Sequence, residues 1–146
     1  MPAVDTILVP VDFSEPCREA ADLAQAFGAS LGAKVHLLHV YELAPYDFPE
    51  NPAKVPETQS RLKAELEHRL EEMAAPLRSA GLAVATHLER GRVVDRILEV
   101  QASLGAQLIV IGTHGRTGLK RMLLGSIAER VVQLSPVPVC SVGAQD

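Results

Sequence analysis

Cysteine is scarce in this 146-residue chain, which has only Cys17 and Cys140. They lie far apart, and neither sits in a CxxC or a paired Cys/His spacing. This excludes a disulfide framework and a zinc site of the usual spacing, and it suits a reducing cytoplasm. No run reaches the roughly 18 apolar residues that a bilayer span requires. The opening "MPAVDTILVPVDF" has neither the basic n-region nor the long apolar h-region of a secretory leader, so an unexported, soluble protein is expected. Positive charge is not in excess: 14 Lys and Arg stand against 18 Asp and Glu, a net charge of −4. Such a field repels a polyanion, which makes nucleic acid a poor partner. Internal repeats and low-complexity tracts are absent too. The length fits one domain, 1–146, large enough to bury its own core.

What the chain does have is a regular alternation of patterns. Five short runs rich in Val, Ile and Leu read as strands: 6–11, 34–41, 83–88, 107–112 and 137–142. Helical periodicity fills the intervals. One helix follows Ser14, with Pro16 in its first turn and a stripe of Ala20, Ala24, Phe27 and Leu31. A second spans 57–80, with Leu62, Leu66, Leu70, Met73 and Leu77 on one face and Gly81 as its stop. A third spans 93–104, and a fourth starts at "SIAE", where Ser126 and Glu129 have the spacing of a capping box. Strand and helix in alternation predict an α/β fold, a doubly wound parallel sheet with helices on both faces. Strands one and four are nearly all apolar, so they are expected at its centre. The proline-rich stretch 42–56 is the one long irregular connection, of the kind that forms lids or mobile surface.

In such sheets ligands settle at the carboxyl ends of strands where the winding reverses. Two segments qualify. "VPVDFS" closes strand one with Asp12, and "GTHGRTGLKRMLLGS" (112–126) follows strand four. Gly112 and Gly115 permit a tight turn with backbone N–H groups turned to an anion. Gly125 and Ser126 open a helix whose first N–H groups and dipole form a second anion site. Arg116, Lys120 and Arg121 add charge. Neither GxxxxGK[ST] nor GxGxxG is present, so this is not one of the two common phosphate loops. On spacing alone, a plain flexible connection accounts for the glycines equally well.

The full spacing, Gly112, two residues, Gly115, nine residues and then Gly125 and Ser126, resembles the nucleotide-binding motif of ATP-binding members of the universal stress protein family. The similarity runs the length of the chain, through "ILVPVDFSEPCREAADLA", "VHLLHVYE", the region 91–132 and the closing "SPVPVCSV". The resemblance implies a Rossmann-like sheet of five parallel strands in the order 3-2-1-4-5. It also implies that Pro10, Val11 and Asp12 line the ribose and metal side, where the Asp12 carboxylate at a strand end could accept a ribose hydroxyl or hold a water on Mg. Val40 would meet the adenine edge through its backbone, and Gly112, Gly115, Arg116, Gly125, Ser126 and Ile127 would hold ribose and phosphates. A homodimer joined through the final strand, 137–142, is implied as well. The residues alone leave two other readings open: Asp12 as an Asx turn leading into the first helix, and Ser126 as a helix cap.

The remaining reactive side chains read as structural. His114 has no partner nearby in sequence to make it a general base. His36 and His39 face opposite sides of their strand and cannot form a single-face pair. His68 falls on a solvated helix face and His87 on a short strand. Cys17, near a helix start, is either a packing residue or a thiol of lowered pKa, and Cys140 packs. The expected function is ATP binding by a nucleotide-dependent sensor or regulator. A slow ATP hydrolase or nucleotidyl transferase at the same site is the alternative, and it lacks an evident base.

Overall fold

A computed structural model of the chain describes residues 3–42, 52–113 and 124–143. The elements alternate as the periodicities predict: β1 (Thr6–Pro10), α1 (Glu15–Leu31), β2 (Lys34–Tyr41), α2 (Val55–Ser79), β3 (Val84–Arg90), α3 (Val93–Leu104), β4 (Leu108–Gly112), α4 (Ser126–Leu134) and β5 (Val139–Val142). A single 3-10 turn, Pro52–Lys54, leads into α2. The strands form one parallel sheet in the order β3-β2-β1-β4-β5. As their all-apolar sequences require, β1 and β4 lie inside it. Hydrogen bonding to a neighbour on each side and helices over both faces leave no room for polar side chains there.

Two cores lie on the two faces of the sheet, and alternate strand residues feed them. Ile7 and Val9 of β1, Val11 just after it, Val35 and Leu37 of β2 and Val110 of β4 pack with Ala20 and Ala24 of α1 and Leu70, Ala74 and Leu77 of α2. Leu8, Leu38, Val40, Ile109 and Ile111 point the other way, against Ile97 of α3 and Ala128 and Val131 of α4. The predicted α2 stripe is only partly submerged: Leu66, Leu70 and Leu77 are buried, with Ala74 between them, while Leu62 and Met73 sit at its margin.

Boundaries shift by one or two residues, each for a local reason. β1 stops at Pro10, although the Val11 N–H still reaches the Leu38 carbonyl at 2.8 Å. β5 begins two residues later than its apolar run, at Val139, because Pro138 has no N–H to give a ladder. α2 begins at Val55, with Pro56 in its first turn where the missing N–H costs nothing. It ends at Ser79, capped by Ala80, and Gly81 follows with φ +94. Most of the 42–56 connection lies outside the described residues.

Candidate functional site

β1 lies between β2 and β4, and all three strands end on the same side of the sheet. Pro10, Val11 and Asp12 mark the exit of β1, Val40 the end of β2 and Gly112 the end of β4, so these expected site residues share one edge. Val11 is pinned on both sides. Its N–H donates to Leu38, and its carbonyl accepts from His39 Nδ1 at 2.7 Å. Because Leu38 addresses β1 with its carbonyl, the alternation of a parallel ladder turns the Val40 peptide groups to the same side, past the point where β1 has ended. The Val40 side chain is buried in the core beneath α3 and α4.

Asp12 makes the Asx turn that its position allows: Oδ1 accepts from the Ser14 N–H at 3.0 Å. The turn forces Phe13 to φ +66, a left-handed conformation costing a bulky residue on the order of 1 kcal/mol or more. Its ring is held in compensation, with its centroid 4.6 Å from that of His39 and the Arg69 guanidinium 4.2 Å above it. The sequence reading missed these roles of Phe13, because only the Asx turn, and not residue type, signals a positive φ.

Cys17 completes the turn. The Asp12 N–H donates to Sγ at 3.2 Å, and the thiol donates back to Oδ1 at 2.9 Å. Burial above all, then the adjoining carboxylate, pushes this thiol up to about 11, against a smaller downward pull from the Ser14 hydroxyl. A thiol of lowered pKa is therefore excluded. Cys17 stays protonated and steers the Asp12 carboxylate, a role that depends on how the first turn of α1 is laid against the end of β1. Ser14 precedes α1 as its N-cap without a side-chain cap bond, and its buried Oγ has no well-formed hydrogen bond among the described residues. That hydroxyl beside Asp12 is the kind of unsatisfied polar atom that a polar ligand or its water would complete.

On the β4 side, Gly112 has a packing use beside the one its spacing suggests. A Cβ there would stand 2.9 Å from both the carbonyl carbon and Cβ of Pro16, so glycine lets the first turn of α1 press onto the end of β4. Thr113 donates its N–H to Val142 at 2.8 Å, and its carbonyl accepts the Gly125 N–H at 2.5 Å. This bond clasps the two ends of the glycine-rich segment and sets the start of α4 beside the exit of β4. The expected capping box is absent. Gly125, at φ −63 and ψ 157, is the N-cap, and among the described residues no side chain caps the helix. Ser126 is thus the first helical residue, and the Glu129 N–H closes onto the Gly125 carbonyl at 2.9 Å. Ser126 and Ile127 are exposed, while Gly125 is buried. A first turn without a side-chain cap keeps the N–H groups and the positive end of the dipole for an outside acceptor. Gly115 and Arg116, with His114, Lys120 and Arg121, lie outside the described residues. Among the described residues no group of three or more His, Cys, Asp or Glu is placed to hold a metal ion.

The chain matches the model of the Universal stress protein family over residues 3–142. Universal stress protein MJ0531 of Methanocaldococcus jannaschii is 32% identical over 133 residues, covering 91% of this chain and 78% of that protein. MJ0577 of the same organism is 30% identical over 147 residues, covering 91% of each. Its solved structure superposes with a TM-score of 0.85 over 99% of both chains. A universal stress protein solved in complex with cAMP superposes with a TM-score of 0.72 at 25% identity, over 99% of this chain and 100% of that one.

Proposed function

The chain belongs to the universal stress protein family, and from that premise we propose that it binds ATP at the carboxyl edge of the sheet, between β1 and β4, as a nucleotide-dependent sensor or regulator. The observation that carries this reading is the bond from the Gly125 N–H to the Thr113 carbonyl. It brings the uncapped start of α4 to the strand exit beside the Asp12 turn. The cAMP complex of a relative of the same fold supports an adenine nucleotide as the ligand class.

In this reading Asp12 accepts a ribose hydroxyl or holds a water on Mg²⁺, a cation that commonly takes one or two carboxylates and keeps several waters. Its carboxylate is already oriented by Ser14 and Cys17. Pro10 and Val11 flank the ribose, and the Val40 backbone meets the adenine edge. Gly112, Gly115, Gly125 and Ser126 surround the phosphates, Arg116 adds charge and Ile127 closes the ribose side. The whole chain acts as one cytoplasmic domain and pairs as a homodimer through 137–142. In support of that pairing, β5 is an edge strand, and Leu124, Ile127, Val132 and Leu134 in or beside α4 are exposed apolar residues. Stable exposed apolar surface of that kind is commonly covered in an assembly.

The test is the nucleotide that accompanies the purified protein. Released by denaturation and identified by mass spectrometry, it is expected to be ATP or its adenine relatives. Incubation with Mg-ATP over hours should then leave the nucleotide intact. Turnover of ATP beyond one equivalent per chain would replace the binding reading with an enzyme, and a guanine or non-nucleotide ligand would overturn the site assignment.

A further inference from the structure

Among the described residues β3 is an edge strand, tied on one side only, by seven register pairs with β2 from Val35 with Val84 to Tyr41 with Arg90. α2 covers one face of it. On the other face, where α3 lies over β2, the register gives β3 three side chains: Ala85 beside His36, His87 beside Leu38 and Glu89 beside Val40. Ala85 is short and Glu89 is charged, so His87, itself half-buried, is the side chain that can join β2 through the buried His36. It does so. His36 Nδ1 and His87 Nε2 are 2.8 Å apart, with the rings inclined by 25° and their centroids 5.1 Å apart. His36 is 7% exposed.

The centroid separation exceeds the N···N distance by about two ring radii, so the two nitrogens point straight at each other. That is the geometry of one proton held between two lone pairs. A metal ion would need about 2.0 Å to each nitrogen on converging directions, and the rings offer neither the gap nor the angle. Two protons cannot occupy the contact, because each nitrogen would then be a donor with no acceptor.

We propose that His36 and His87 form a proton-sensitive latch that fastens the edge strand β3 to β2 when they share one proton and releases it when both rings are protonated. The charges around the pair favour this behaviour. Burial holds both rings below the ordinary imidazole value of 6.5, and for His36 the neighbouring His87 and the Lys34 ammonium add to it. For His87, Glu89 pulls the other way, while Lys34 again opposes protonation. β1, on the far side of β2, presents Thr6, Leu8 and Pro10 to this face, and residues 100–104 at the end of α3 include no ionisable side chain. The sign follows. Above 6.5 the rings are uncharged in the folded and the open chain alike, and the latch is complete. As pH falls through that value the open form gains protons that the closed pair resists, so the closed form loses stability.

The test is hydrogen exchange measured by mass spectrometry on peptides spanning 84–90, at pH 7.5 and pH 5.0, with intrinsic exchange rates divided out. Wild type should lose at least about tenfold of its β3 protection between the two. His87→Gln keeps an acceptor facing His36 without a titrating group, and it should lose little. Histidine-labelled NMR of the wild type, which needs no variant to fold, should show the two rings titrating together below 6.5. Equal losses of protection in wild type and variant, unchanged wild-type protection, or two rings titrating independently at ordinary values would each overturn the latch.

Discussion

Asp12 shows how one side chain can satisfy two readings of the sequence. Its Oδ1 closes an Asx turn with Ser14 and accepts the Cys17 thiol, and the same bonds fix the carboxylate at the exit of β1, where the nucleotide is proposed to lie. The candidate residue was legible from its place after an apolar strand. Its partners were not, because the thiol contact depends on how the first turn of α1 is laid against the strand. Cys17 yields a direct prediction. With the thiol raised to about 11, its thiolate fraction at pH 8 is more than about a hundredfold below that of an ordinary cysteine. In a Cys140→Ser background, iodoacetamide labelling of Cys17 at pH 8 should be slower than that of a model thiol by at least that factor. Labelling at the model rate would contradict the buried, carboxylate-bound thiol. The histidines were legible one strand at a time: the opposite facing of His36 and His39 was plain, but the meeting of His36 with His87 needed the β2–β3 register.

At the scale of elements, the periodicities located every strand and α-helix that the structure describes, and missed only the 3-10 turn Pro52–Lys54 in the stretch read as irregular; the other errors concern ends. The α4 start is instructive. Ser126 and Glu129 have capping-box spacing, yet the bond from the Gly125 N–H to Thr113 moves the cap one residue earlier. A long-range tie of that kind leaves no mark in a local pattern. Gly112 teaches the same lesson, since its need for glycine comes from Pro16 of another element. Backbone cannot withdraw as a flexible side chain can, so Gly112→Ala should destabilise the fold by about 1–3 kcal/mol. For a chain of this size that lowers Tm by several degrees, roughly 2–4 °C per kcal/mol. An unchanged melting curve would show that the α1 start and the β4 end are looser than the geometry states.

For the whole molecule, the alternation of strands and helices, with apolar β1 and β4, was enough to predict a doubly wound parallel sheet. The order β3-β2-β1-β4-β5 came instead from the family resemblance, and the structure has it. Strand order is set by which crossovers pack, which composition does not encode. The proposed pairing through β5 predicts twice the chain mass in light scattering. A charged residue on that edge, as in Ser141→Lys, should reduce it to one chain, and a wild-type mass of a single chain would remove the dimer.

The start of α4 and the exit of β4 are proposed to form the phosphate side of an adenine-nucleotide site. Calorimetric titration of ATP into the wild type and into Gly125→Val tests it most directly, with thermal melts as the control for folding. The φ −63 and ψ 157 of Gly125 are open to any L-residue, so the variant is expected to fold while its side chain blocks the approach of phosphate. Saturable binding by the wild type and none by Gly125→Val, with both proteins folded, is expected; equal affinity in the two would show that phosphate does not lie against the start of α4.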